Sequence, residues 1–225
     1  MVHRFLRFLL AAWLLTICCA PRAAVYDDFG SDGIDAGKWV RQDGADLFTQ
    51  SNGRLNFPCK GQSTEKLDST ARFAPGFFRL EFRDYNSTNA SPPARGLGSY
   101  LALGLAAGDE RVRTIRGDIG RGGYFEANFF KGRDYNLWYF DDNADAGQLG
   151  LYFDGSAVSF YYKAGPNPAK PWRKIGPTVR PNWPALPRLY IAGSSGGSGC
   201  TRFSIVNVEH IPAPLPASFL QELGH

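Results

Sequence analysis

Polar and apolar positions alternate with a period of two along most of this 225-residue chain. In the run 77–83, Phe78, Leu80 and Phe82 fall on one side, and Arg79, Glu81 and Arg83 fall on the other. That is the pattern of an antiparallel strand with one wet face. Leu55 with Phe57, Leu101 with Leu103 and Leu105, and the aromatic runs 124–130 and 135–140 repeat it. Turn-forming pairs punctuate the strands. Asn52-Gly53 precedes Leu55, and Lys131-Gly132-Arg133-Asp134 separates the two aromatic runs. Further strands are read at 188–192 and 202–208, a short one around Val112 and Ile115, and none over 177–187, which holds four prolines.

The hairpin at 149–162 organises the rest. Leu149, Leu151 and Phe153 share a face with Val158, Phe160 and Tyr162, and Asp154-Gly155 predicts a tight two-residue turn between them. A strand with Trp172 and Ile175 follows. The alternation that buries those six residues turns Tyr152 and Tyr161 the other way, toward solvent or a ligand. Ten to thirteen such strands in one chain, with no long amphipathic helix and no internal repeat, imply an all-β fold: a two-sheet antiparallel β-sandwich of the jelly-roll type.

The ends of the chain read differently. Arg4 and Arg7, a short apolar run to Ile17 and the small residues Ala23 and Ala24 make residues 1–24 a secretory signal peptide, leaving no membrane-spanning segment once it is cleaved. Cys18 and Cys19 fit a lipid-attachment box poorly, because Ile17 precedes the first. Residues 25–210 form the sandwich domain. Residues 211–225, with Pro212, Pro214 and Pro216 and a short helical stretch at the end, read as a Pro-rich tail. The expected location is secreted or periplasmic. In such a compartment Cys59 and Cys200 are expected to form a disulfide rather than remain free thiols.

Charge removes one class of function. Three of the 25 basic residues, Arg4, Arg7 and Arg22, lie in the leader, leaving 22 against 21 acidic ones. A near-neutral domain lacks the footprint of a nucleic-acid binder. A monomer that meets a glycan or another extracytoplasmic surface is expected, with a structural or adhesion domain without a small ligand as an alternative.

Several stretches carry a resemblance. Asp28-Phe29, Gly33-Ile34-Asp35 and Lys38-Trp39 resemble the opening of concanavalin A-like jelly-roll domains of the laminin-G-like and glucanase-like kind. Asn52-Gly53-Arg54-Leu55, the hairpin 150–162 with Trp172-Arg173-Lys174-Ile175-Gly176, and the closing Phe203-Ser204-Ile205 are similar to their later strands. The resemblance spans about residues 27–208. It implies one convex and one concave sheet, the concave one often binding glycans. Members include binding modules, glycoside hydrolases and polysaccharide lyases, among which fold alone does not choose.

The residues themselves favour binding. Glucanases of this superfamily typically carry Glu-x-Asp-x-x-Glu, and this chain does not contain it. Glu126, on the first aromatic strand, is the one carboxylate suited to a binding face, and its same-strand neighbour is Asn128. A catalytic pair would have to be Glu126 with Asp118 or Asp142. Histidine is scarce, with only His210 and His225 after the leader, which disfavours a triad or a zinc site. No cofactor is expected apart from a candidate structural calcium, an ion that the resemblance implies because members of the superfamily often hold one. Asp141, Asn143 and Asp145 space like the start of a calcium loop, but Ala146 and Tyr152 stand where that loop needs Gly and Glu. Sugar contact is assigned to Tyr152, Tyr161, Trp138, Asn136 and Glu126, since flat rings stack on pyranose faces and amides and carboxylates bind hydroxyls.

Overall fold

The computed structural model describes residues 24–42, 46–61, 63–87, 98–118, 122–167, 169–196 and 200–224. The signal-peptide reading of residues 1–24 therefore falls, all but its last residue, outside the described residues. Among the described residues, fifteen strands form two antiparallel sheets. In chain order they are β1 (Ala24–Asp27), β2 (Trp39–Gln42), β3 (Thr49–Ser51), β4 (Arg54–Phe57), β5 (Ser63–Arg72), β6 (Gly76–Ser87), β7 (Ser99–Ala107) and β8 (Glu110–Asp118). Then come β9 (Gly123–Lys131), β10 (Asp134–Asp141), β11 (Gly147–Phe153), β12 (Val158–Ala164), β13 (Arg173–Val179), β14 (Arg188–Ser195) and β15 (Thr201–Pro212), followed by helix α1 (Ala217–Glu222).

The eight-stranded sheet runs β13-β12-β11-β6-β15-β4-β3, with β1 also paired to β15. The seven-stranded sheet runs β10-β9-β8-β7-β14-β5-β2. Their facing residues make one core: Phe78, Leu80 and Phe82 of β6 and the six apolar residues of the β11–β12 hairpin meet Leu101, Leu103 and Leu105 of β7, Val112 of β8 and Phe125 of β9. The alternation read along the chain is thus the inside and outside of a sandwich. Thr114 ties the layers together by donating its hydroxyl to the carbonyl of Gly150, 3.0 Å away in the other sheet. Cys59 and Cys200 form the expected disulfide across 141 residues of chain.

Three expectations need correction. The β11–β12 turn has four residues, not two. Phe153 pairs with Val158, and the Asp154 carboxylate accepts from the backbone N–H of both Ser156 and Ala157 at 2.7 Å. That local bonding favours the longer loop, with Gly155 supplying the positive φ. Strand β13 runs through Pro177 to Val179; as the edge of its sheet it has no further neighbour to require the missing N–H. The C-terminal segment is no loose tail. β15 continues to Pro212, and Leu215, Phe219, Leu220 and Leu223 pack on Phe77, Tyr161 and Trp172, on the outer face of the eight-stranded sheet.

Candidate functional site

The outer faces of the two sheets differ. On the eight-stranded sheet, Tyr161 is 0% exposed beneath the C-terminal segment, with Tyr152 half-buried beside it. The expected Tyr152–Tyr161 surface is therefore corrected. Alternation sends both rings out of the main core, but a second apolar layer covers them. A cavity of about 170 Å³ lies farther along this sheet, among Glu81, Arg83, Gln148, Lys163 and Asn167. Its charges are already satisfied: Arg83 with Glu81 at 2.9 Å, and Lys163 with Glu222 at 3.5 Å and with the Trp172 ring.

The seven-stranded sheet keeps an open outer face, and two glycine-started turns set its register. Ala107 pairs with Glu110 around Gly108-Asp109, and Lys131 pairs with Asp134 around Gly132-Arg133. Gly108 and Gly132 supply positive φ at the first turn position, where a two-residue hairpin accepts glycine best. This register aligns Tyr135 with Phe130 and Arg111, Leu137 with Asn128 and Arg113, and Tyr139 with Glu126 and Ile115. All of these side chains point away from the sandwich core.

Aromatic rings pave this face. A Cβ on Gly104 would lie 2.1 Å from the Tyr190 ring, and one on Gly117 would lie 2.3 Å from the Tyr124 ring. Each tyrosine thus lies over a neighbouring-strand glycine and covers its bare backbone. Tyr190, Ala192, Ala102 and Ile115 form a small apolar floor. Burial pushes the Tyr190 hydroxyl up to about 12, offset in part by Arg113 and Arg111, and burial likewise raises Tyr124. A stacked ladder rises beside the floor. The Arg113 guanidinium sits 4.9 Å from the Tyr100 ring centre and 4.8 Å from that of Phe130, Arg111 lies 4.4 Å from Phe130, and Tyr135 stacks on Phe130 at 5.9 Å. Beyond it, Tyr135 is 61% and Tyr139 60% exposed.

Glu126 is set into this paving. Its carboxylate accepts from the Asn128 amide at 2.5 Å, and Arg113 donates to the other end of that amide at 2.8 Å. Burial holds the Glu126 carboxyl above the ordinary range, with Asn128 and Arg113 pulling it back. The next outward positions on its strand are Asn128 and Phe130. Asp118 falls on the opposite face of β8 by alternation, and Asp142 caps the backbone N–H of Ala144 at 3.0 Å. Neither therefore partners Glu126. The carboxylate nearest by register is Asp141, which pairs with Tyr124 at the exposed edge. As a diagonal neighbour its Cα lies about 7–8 Å from that of Glu126.

Other expected site residues separate from this face. Trp138 and Asn136 belong to the opposite side of β10. The Trp138 ring packs on Phe160 and against Gly176, whose positive φ and missing Cβ make room for it. Trp138 therefore closes the edge of the sandwich and is no exposed stacking ring. In the 141–145 loop the Asn143 side-chain oxygen accepts from the Gly123 N–H, and the Asp145 carbonyl accepts from Tyr85 N–H at 2.8 Å. Among the described residues, no three His, Cys, Asp or Glu side chains cluster closely enough to hold a metal. Tyr135 is among the rings that the sequence offers for sugar stacking, but Tyr139 was missed. Counting outward from Glu126 through the two-residue turn would have found it.

No family model and no curated protein matches this sequence. Solved structures match its fold. A protein described as a native glycosidic hydrolase superposes with a TM-score of 0.58 at 14% identity, over 88% of this chain and 98% of its own. A Bacillus licheniformis β-glucanase gives 0.57 at 10% identity, over 84% and 97%. A legume lectin-like domain from Entamoeba histolytica gives 0.54 at 10%, over 78% and 90%. This chain has the concanavalin A-like jelly-roll fold.

Proposed function

We propose that this protein is an exported, non-catalytic glycan-recognition module whose binding face is the outer face of the seven-stranded sheet. The observation that carries the reading is the pair of solvent-facing rings Tyr135 and Tyr139 beside the half-buried Phe130 and Tyr100, with the half-buried Glu126 and Arg113 set among them as hydrogen-bonding groups and held by the buried Asn128 amide. Rings offer stacking surface at low entropic cost, and the interlocked polar groups are pre-oriented for hydroxyls. The neighbours in fold include a β-glucanase and a lectin-like domain, so this scaffold carries both cleavage and plain binding. A retaining glycosidase holds two carboxyl groups about 5–5.5 Å apart. Here Glu126 is flanked on the outward face of its strand by Tyr124 and Asn128, neither of them an acid. Export is supported by the leader pattern and the disulfide.

One observation favours a hydrolase as second reading. The Glu126 carboxyl is held above its ordinary range, as a general acid requires, and Asp141 is a diagonal neighbour. The test covers both readings. The protein is run through native gels containing single polysaccharides, and the same glycans are assayed for new reducing ends. Retarded migration that Tyr139→Ala abolishes, with no reducing ends, supports the module. Reducing ends that Glu126→Gln abolishes replace it with the enzyme.

A further inference from the structure

The folded domain is close to neutral, but charge is unevenly spread over the outer face of the seven-stranded sheet: Glu126 and Asp141 lie toward β10, Asp68 is paired with Lys66 at 3.1 Å, and arginines cluster from β8 to β14. Arg111 and Arg113 project outward from β8 two residues apart, about 6.6 Å along the strand. Arg188 of β14 lies in the same transverse row as Arg111, with Ala106 of β7 between them. Two strand spacings separate them, about 10 Å. None of the three arginines forms an ion pair among the described residues. Arg116, on the inner side of the same strand, shows the contrast: it is buried over Tyr85 and spends its Nε–H on the Ala144 carbonyl.

The outward pair is also held in place. Phe130 carries a guanidinium from both arginines, and Tyr100 and Asn128 fix Arg113 further. Stacking occupies a guanidinium's faces and leaves edge N–H groups free. A planar donor edge suits a carboxylate or sulfate oxygen pair. Arg113 already faces Glu126 through Asn128, but Arg111 and Arg188 have no carboxylate partner among the described residues, and neutral hydroxyls would leave their charge unmatched.

Resting on the proposed glycan reading, we infer that the ligand is an anionic polysaccharide, whose carboxylate or sulfate groups are met by Arg111, Arg113 and Arg188 while its sugar rings stack on the aromatic paving. From β10 to β14 the track crosses four strand spacings, about 19 Å, long enough for several sugar units. The rings favour a glycan over polyanions with no flat apolar part; single-stranded nucleic acid, whose bases also stack on tyrosine, is separated by the test.

The test is titration calorimetry of the intact protein against oligogalacturonate, a sulfated dextran oligomer and neutral gluco- and xylo-oligosaccharides, at low and high salt. Arg111→Gln and Arg188→Gln are measured beside the parent. Both positions are exposed, and unchanged melting confirms folding. The expected result is binding to one or both anionic probes, weakened several-fold by salt and about tenfold by either substitution. The carboxylate and sulfate arms separate the two sources of charge. Equal binding of neutral oligosaccharides, unmoved by either substitution, overturns the anionic class and leaves the glycan reading standing. Silence of every glycan from a folded protein overturns both. Single-stranded RNA binding as tightly as the anionic sugars also overturns the inference.

Discussion

Glu126 shows how one residue's surroundings set its role. It is half-sunk among rings, with one amide and one guanidinium to balance the loss of water. A carboxyl whose folded pKa is raised contributes stability that is fully present below its unfolded value, about 4.3, and is lost as pH rises through the folded value. Glu126→Gln removes that loss. Its melting temperature relative to the parent should therefore climb with pH above about 4.3 and then level off; a flat or falling difference contradicts the buried setting. The tyrosines give a second contrast. Tyr161→Ala should cost about 3–5 kcal/mol, as loss of a fully buried ring does, whereas Tyr139→Ala should stay within about 0.5 kcal/mol. Urea unfolding of the two variants checks this. Alternation told correctly which way each ring leaves its strand. It was silent on what lies beyond, because a covering layer from residues 215–223 leaves no mark in the period of strands β11 and β12.

At the scale of elements, the C-terminal segment matters most. Leu215, Phe219 and Leu223 close over Phe77, Tyr161 and Trp172, and Glu222 pairs with Lys163 at 3.5 Å. Ending the chain after Pro212 should expose that layer. Three apolar side chains at about 1.5–3 kcal/mol each set an upper range, so a loss of about 3–5 kcal/mol is expected by urea unfolding. An unchanged midpoint contradicts the cover. Prolines made this segment read as a tail, although the chain on either side of Pro212, Pro214 and Pro216 is anchored by apolar contacts that sequence spacing does not advertise. The β9–β10 hairpin teaches the opposite lesson. Its turn was legible from Gly132, and that turn alone fixes Tyr139 opposite Glu126. Trp138 stood out by residue type, but parity assigns it to the sandwich edge.

The whole molecule is a sandwich stapled across its two sheets' loops by Cys59–Cys200. Closing 141 residues of chain is worth about 5 kcal/mol in the chain-entropy model. The Cys59→Ser/Cys200→Ser double variant should lose up to about that much, read from its denaturant midpoint. The fold class was largely readable because period-two patterning, turn residues and length constrain a two-sheet sandwich strongly. The site was only partly readable, because it is a product of register across β10, β9, β8, β7 and β14, which brings residues from 100 to 190 onto one face. Only the locally encoded part of that register, at the two-residue turns, can be counted from sequence. The central claim is that this shared face binds glycan and does not cut it. Its most direct test is gel retardation of the parent and a Tyr135→Ala/Tyr139→Ala variant through single-polysaccharide native gels, with reducing ends measured on the same glycans. Retardation of the parent by at least one polysaccharide, its loss in the variant at unchanged melting temperature, and no reducing ends are expected; retardation that survives both substitutions, or sugar release by the parent, contradicts the proposed function.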